Sequence, residues 1–497
     1  MKVLLISPAT PVTFWSLKHA MRFVARRAAF PPLGLLTVAA MLPRDWELRL
    51  VDLDVARLSD EDILWADYVM VSAMIVHKTS VVDEVLPRCA SLGRPVIGGG
   101  PLFTTGHEEF AGRVHAVVGE CEKSIDAVVR DMEAGGLQEN YTSPVAFPDV
   151  RQTPVPRWDL INLRHYATAS LQYSRGCPFD CEFCDIIVMN GRKPRTKSPE
   201  QMLAELDALV DAGWRGTVFV VDDNFIGNKR CVKEFLRALV AWRERRRPQI
   251  DFLTEASVNL ADDAELLDLM TRAGFNSVFV GIETPVPESL AECHKLQNVR
   301  GDLAEKIRTI QRSGLEVKGG FIVGFDHDPR EIFELQFDFI QRTGITAAMV
   351  GLLNALPKTR LYQRLAGEGR LDELTGGSGT SGNNTEAALN FVPKLDRQFL
   401  VDGYRRLMAT LYEPNTYYQR ALVFLHEYRP RGPRLRITWR DVRAFASSLW
   451  VMGVLHRGRR AFWKYLATVL VRYPRKLPPA IQLAIHGYHY RRVAEEL

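Results

Sequence analysis

The 497-residue chain has no hydrophobic run approaching the roughly 18 residues needed to span a bilayer. Its apolar start, MKVLLIS, stops at Pro8 and has no small-residue cleavage site. A buried first strand is expected there in place of a signal peptide. Cysteine is scarce, with 7 residues, an odd number. That argues against a disulfide framework and for metal or redox work. There is no internal repeat and no long low-complexity tract. A hydrophobic content of 46% and a charged content of 25% are those of ordinary globular protein, and the length calls for several domains. The expected location is the cytoplasm.

Acid is scarce at one end of the chain. From Val401 to Leu497 there are 18 Lys+Arg against 6 Asp+Glu, a net of +12. The whole chain carries only +5, so the first 400 residues carry −7. A basic tail on an acidic body calls for an anionic partner.

Residues 1–135 alternate strands (Val3–Ile6, Glu47–Asp52, Tyr68–Ser72, Pro95–Gly98, Val114–Val118) with helical segments such as the one opened by Pro31-Pro32-Leu33-Gly34. That alternation predicts a parallel, doubly wound sheet with ligands beyond the carboxyl ends of its strands. Residues 136–168 are polar and proline-containing, and read as a surface linker. From residue 169 the alternation resumes through six βα-type units as far as residue 365. Six units are too few for a closed eight-stranded barrel, so an open, partial (β/α)6 barrel is expected. Gly376–Asn384 is a polar loop, and residues 366–497 read as a basic helical domain.

Tyr173–Asp185 reads YSRGCPFDCEFCD, placing Cys177, Cys181 and Cys184 in a loop directly after a strand. Thiolates are the natural ligands of iron–sulfur clusters. The competing reading is zinc, but zinc sites take four ligands and no fourth Cys or His lies nearby. With three ligands from one loop, one iron of a [4Fe–4S] cluster stays open to chelate the methionine end of S-adenosylmethionine (SAM).

On these residues, the stretch from about Ser170 to Leu353 resembles the radical SAM superfamily. The resemblance implies further contacts to SAM. Phe183 would border the adenine, and Asp222 and Asp223 would bind the amino group. Glu255 and Ser257 would reach the ribose. Glu283 ends the fourth strand, and Gly324 belongs to a glycine motif near the adenine.

A doubly wound domain ahead of such a barrel resembles the cobalamin-binding radical SAM family. The matching strand ends are Ser72, Gly98-Gly99-Gly100 with Thr104, and Gly119-Glu120. The resemblance implies that these residues hold cobalamin, giving an α/β chain of Rossmann-like cobalamin domain, radical SAM barrel and helical C-terminal domain. One departure stands out: no D-x-H-x-x-G motif follows the first strand, where the chain reads Ser7-Pro8-Ala9-Thr10-Pro11. His19 and His77 are the nearby imidazoles, and capping or solvated roles are expected for both. Cobalamin is therefore expected to lack a histidine ligand.

The implied reaction is radical methylation of an unactivated carbon, with SAM as the source of both methyl and radical, and a one-electron donor such as flavodoxin or ferredoxin. Ring contraction, cyclisation, C–C coupling and RNA modification remain alternatives. The layout is similar to the hopanoid C-2 methylase group through Thr13-Phe14-Trp15-Ser16, Val221–Asn228, Gly281–Pro285 and Ala348–Asn354. A lipid substrate follows from that resemblance. Nearly apolar stretches at Val442–Leu455 and Ala461–Val471, with arginine and tryptophan around them, read either as interfacial helices on the inner face of the membrane or as a buried domain with a basic rim. Nucleic acid is the less favoured partner for this tail.

Overall fold

The computed structural model describes residues 1–143, 147–372, 385, 387–432 and 437–497, so the loop expected at Gly376–Asn384 lies outside the described residues. The first sheet is built from β1 (Lys2–Ser7), β2 (Glu47–Asp52), β3 (Tyr68–Ser72), β4 (Val96–Gly99), β5 (His115–Val118) and β6 (Asn140–Thr142). Its order is β2-β1-β3-β4-β5-β6 and every pair is parallel. Alternate residues of each strand serve two cores, as a sheet covered on both faces requires. Val3, Leu5, Met70 and Ile97 pack with Leu35 and Val128 on one face. Leu4, Ile6, Val69 and Val71 pack with Ile63, Val85 and Phe103 on the other.

Strand β6 lies inside the stretch expected to be a linker. It pairs with β5 through Ala116↔Asn140 and Val117↔Tyr141, and buries Tyr141. Farther on, Val150, Trp158 and Tyr166 are also buried. Only the middle residue of β6 is buried, so its alternation is too short to register as a strand pattern.

The second unit begins with β7 (Ala169–Leu171), followed by a two-residue hairpin of β8 (Ser174–Arg175) and β9 (Arg195–Thr196). Then come β10 (Gly216–Val220), β11 (Ile250–Glu255), β12 (Phe275–Glu283), β13 (Glu316–Val323) and β14 (Ala348–Leu352). The sheet runs β7-β10-β11-β12-β13-β14, parallel throughout. No described pairing joins β7 to β14, so the barrel stays open.

The helices between these strands are locally encoded. Helix Lys229–Arg246 starts where the Asn228 side chain accepts from the Cys231 amide at 3.3 Å. It buries Val232, Phe235, Leu236 and Leu239 at helical spacing, and ends with three arginines at the negative pole of its dipole.

Register divides the barrel strands into two faces. Val218, Val220, Phe252, Val278, Val280, Val317 and Val350 are buried in the main core. The intervening residues face the lumen in rows: Phe219↔Leu253↔Ser277↔Glu316, then Glu255↔Phe279↔Lys318. The outer face is therefore uniformly apolar, while the inner face mixes aromatic and charged groups.

The C-terminal helices are Arg397–Leu411, Pro414–Glu427, Trp439–Trp450 continued by Val451–Leu455, Arg459–Arg472 and Leu477–Glu495. They share one continuous core with the barrel, which also takes in Phe14 and Phe23 from the N-terminal segment. Phe14 packs against Tyr412 and Tyr490 with ring centroids 6.1 and 5.8 Å apart.

Candidate active site

The cysteine loop is pinned at both ends. Gly176 has φ +94°, and a Cβ there would lie 2.9 Å from the carbonyl oxygens of Asn190, Gly191 and Lys193, so only glycine fits. The Cys177 amide donates to the Gly191 carbonyl at 3.2 Å. Across the loop, the Glu182 amide donates to the Cys293 carbonyl at 3.0 Å, and Arg364 Nε donates to Glu182 Oε1 at 2.6 Å. Arg360 pairs with Asp180 at 2.9 Å.

The thiols have their own partners. Asn224 Nδ2 donates to Cys177 Sγ at 3.6 Å, and Gln297 Nε2 to Cys181 Sγ at 3.9 Å. Burial pushes the Cys181 and Cys184 thiols up, with Lys295 acting against it. A buried thiol would lose its proton to solvent as it ligates a metal centre, so metal loading here is coupled to proton release. Among the described residues, no three His, Cys, Asp or Glu side chains are arranged to hold a single metal ion.

Around that loop stand the carboxyl ends of the barrel strands. Asp222 is fully buried and both its oxygens are taken, by the Tyr173 amide at 2.7 Å and by Ser174 Oγ at 2.6 Å. It holds the bend between β7 and β8, so the strand that leads into the cysteine loop is broken in two. Burial pushes Asp222 up to about 7. A SAM-binding role expected for this side chain therefore competes with a structural one.

Asp223 accepts from Asn190 Nδ2 at 3.3 Å and is pushed by burial up to about 6. Glu255, at the carboxyl end of β11, keeps part of its surface accessible. Burial, reinforced by the charges of Asp223 and Asp222, pushes it up to about 8. Ser257 Oγ donates to Asn259 Oδ1 at 2.6 Å, and its amide donates to Asn224 at 3.3 Å. Gly324 has φ +108°, and its amide donates to Asp328 at 2.8 Å.

The most consequential residue absent from the sequence expectations is Lys295. Its ammonium lies 2.6 Å from Glu283 Oε1 and 5.9 Å from the Phe183 ring centroid. Cys181 and Cys184 lie within its electrostatic reach. It sits in the plain-looking stretch His294-Lys295-Leu296-Gln297, far along the chain from the cysteines, and nothing local marks it. Gln297 was missed for the same reason. Asn224 belongs to the Val221–Asn228 stretch that carries the resemblance, but its contact to Cys177 is not legible there.

The N-terminal sheet turns its own carboxyl ends toward this space. Past β1, Trp15 stacks on Phe219 with centroids 5.7 Å apart and an interplanar angle of 6°, and meets Phe279 at 5.1 Å. Phe30 adds a further contact to Phe219 at 5.5 Å. An aromatic wall thus closes part of the barrel lumen.

Past β5, Glu120 accepts from Arg175 at 2.6 Å and from Arg195, while Glu122 pairs with Arg175 at 2.7 Å. Glu120, expected to touch a cofactor, also fastens the first domain to the hairpin that brackets the cysteine loop, through Arg175 before it and Arg195 after it. Gly98 and Gly100 also answer to packing. A Cβ on Gly98 would meet Val114 at 2.6 Å, and one on Gly100 would meet the Ala73 carbonyl at 2.8 Å. Gly99 and Gly119 instead open onto free space, and Thr104 Oγ1 accepts from the Gly119 amide at 3.0 Å. Ser72 Oγ lies beside Gly34 and Gly100. The open strand ends are where a flat, nucleotide-like ligand would fit.

Both nearby imidazoles are engaged. His77 Nδ1 accepts from the Met74 amide at 3.2 Å and its Nε2 lies 3.2 Å from Thr10 Oγ1. His19 Nε2 lies 3.1 Å from a Glu496 oxygen.

A partial parallel barrel with three loop cysteines at its mouth defines the radical SAM class of enzymes, and the profile of the radical SAM superfamily matches residues 171–340. Residues 359–497 match a domain of unknown function (DUF4070). An uncharacterized methyltransferase of Synechocystis sp. is 40% identical over 100% of this chain and 92% of its own length. The hopanoid C-2 methylase of Rhodopseudomonas palustris is 34% identical over 95% of this chain and 90% of its own length. The chain belongs to the radical SAM methyltransferase family of these relatives. It is an enzyme, and membership brings the [4Fe–4S] cluster and SAM as cofactors. The fold is also that of the cobalamin-dependent SAM radical enzyme OxsB, solved with aqua-cobalamin and SAM bound, at TM-score 0.63 and 15% identity over 100% of this chain and 80% of that one.

Proposed function

We propose that this chain is a cobalamin-dependent C-methyltransferase acting on an unactivated carbon of a polycyclic lipid of the hopanoid type. One observation supports the reading above the others: past the carboxyl end of β5, Glu120 pairs with Arg175 and Arg195 on either side of the cysteine loop, and past that of β1, Trp15 stacks on Phe219 of the barrel. When bound, the cluster and SAM supply a hydrogen-abstracting radical, and cobalamin supplies the methyl carrier.

The chain's own residues supply position and shielding. Cys177, Cys181 and Cys184 hold the cluster, with Asn224, Gln297 and Lys295 compensating sulfur charge. Asp223, Glu255, Ser257 and Glu283 line the SAM side, and Phe183 and Gly324 border its ring. Asp222 keeps the loop in place. Ser72, Gly99, Thr104 and Gly119 bound the cobalamin side. Trp15, Phe30, Phe219 and Phe279 offer flat apolar surface to a fused-ring substrate and exclude water from the reacting carbon. The 34% identity to a hopanoid C-2 methylase supports this substrate class.

The test uses the full chain, reconstituted anaerobically with iron, sulfide and cobalamin, then given SAM deuterated in its methyl group and a hopanoid such as diploptene. The expected result is 5′-deoxyadenosine together with a hopanoid carrying the deuterated methyl, both abolished in Cys181→Ala. Deoxyadenosine formation without bound cobalamin or a methylated lipid would count against the proposal and move rearrangement or coupling chemistry ahead.

A further inference from the structure

Two C-terminal helices turn apolar side chains the wrong way. Helix Trp439–Trp450, with its continuation Val451–Leu455, buries Ala444, Ser448, Val451 and Met452. Its opposite stripe is Trp439, Val442, Ala446, Trp450 and Val454, at spacings of three or four residues. That face looks outward, with Trp439 80% and Trp450 60% exposed. Helix Arg459–Arg472 buries Phe462, Tyr465, Leu466 and Val469. Its outer face carries Trp463, Leu470 and Val471, the last 82% exposed, interleaved with Arg459, Arg460 and Lys464.

The two faces adjoin. Trp463 Nε1 donates to the Gly453 carbonyl at 2.9 Å, and a Cβ on Gly453 would sit 3.0 Å from the Trp463 ring. From Trp439 to Lys476 the sequence holds nine Lys or Arg and a single acid, Asp441. An ordinary soluble surface turns this pattern round, since large apolar side chains gain free energy when removed from water.

We infer that this two-helix face is a docking surface for an anionic lipid bilayer. Tryptophan and leucine beside arginine and lysine suit the headgroup region, where apolar side chains enter the acyl boundary and cations meet lipid phosphates. No described helix is long and apolar enough to cross a membrane, so the contact lies on the surface. Charge complementarity alone also fits nucleic acid, but a phosphate backbone gives Val471, Leu470 and Val454 nothing to bury against. The inference does not depend on the methyltransferase reading, because docking is measured without cofactors.

The experiment is sedimentation of the full chain with vesicles of phosphatidylcholine alone, or with added phosphatidylglycerol. The variants are Trp439→Ser/Trp450→Ser and Arg459→Gln/Arg460→Gln/Lys464→Gln, and circular dichroism and melting temperature report that they stay folded. Binding to phosphatidylglycerol vesicles is expected, with a blue shift of tryptophan emission. The charge variant should bind roughly a hundredfold more weakly at low salt, from ~1 kcal/mol per cation near the surface. The tryptophan variant should lose most of the blue shift. No binding to anionic vesicles at low salt overturns the inference, as does binding that both variants leave unchanged. Retention on duplex DNA without vesicle binding also overturns it and assigns the face to nucleic acid.

Discussion

Glu255 is a carboxyl group whose ordinary range would leave it ionised at neutral pH, yet burial and two neighbouring acids hold it neutral up to about pH 8. A neutral carboxylic acid can donate a hydrogen bond, which suits a ribose hydroxyl. Because its folded pKa lies above its unfolded one, the group costs the fold nothing at acid pH, and a growing amount as pH rises from about 4.5 to about 8. Glu255→Gln keeps the donor and removes the titration. It should retain SAM cleavage within a few-fold, and melt higher than the parent above pH 7 by a margin that shrinks toward pH 5. Glu255→Leu should weaken SAM binding roughly ten- to hundredfold, the cost of one lost buried hydrogen bond. Anaerobic SAM titration and melting curves against pH check both. Equal melting shifts at pH 5 and pH 8 would show that Glu255 does not titrate as described.

At the scale of elements, the cysteine loop is held by a helix from another part of the chain. Arg364 on helix Arg360–Gly367 reaches both Glu182 in the loop and Asp326 just beyond β13, and Arg370 joins at Asp326 at 2.7 Å. Burial alone would raise the Asp326 pKa, but hydrogen bonds from Arg370 and Arg364 overcome it and hold the group down at about 2. That stability is present above pH 4 and lost as pH falls toward 2. Asp326→Asn should cost about 2–4 kcal/mol at pH 7, the low side of what breaking a buried pair costs, since the arginines keep some water. The difference from the parent should close between pH 4 and pH 2 in thermal or urea melts. A difference that persists at pH 2 would place its origin in packing.

Elements also differ in how legible they were. The first five strands follow from periodicity over a few residues, and the structure places them within a residue of expectation. Strand β6 and the break between β7 and β8 did not follow. The first is too short to alternate, and the second depends on Asp222, which reaches back from β10. The C-terminal stretches were left as either interfacial or buried. One face of each helix lies in the shared core and the other is exposed, so burial accounts for half of each stretch.

On the scale of the molecule, the N-terminal segment belongs to the same core as the barrel. Phe14, Met21, Phe23 and Leu36 pack into it, and Trp15 stacks inside the lumen. Each such side chain contributes about 1.5–3 kcal/mol by burial. A chain cut back to residues 136–497 should therefore aggregate or elute as a swollen species, even though the barrel has its own strands. Size-exclusion chromatography and near-UV circular dichroism would report it. A well-packed monomer from that piece would mean that the two units fold independently.

By itself the sequence determined the class: three cysteines after a strand, two runs of βα alternation and a basic tail are local patterns, each readable within a few turns of chain. It also gave most residues of the cluster loop and of the strand ends. Only the tertiary structure decided how those residues are used. Lys295 pairs with Glu283 beside the Phe183 ring. Arg175 and Arg195 claim Glu120, Asp222 is spent on a bend, and Trp15 enters the barrel. The physical reason is common to all four. A charge or ring is assigned by the partner it meets in space, and those partners lie from 12 to about 200 residues away, beyond the reach of any periodicity or motif.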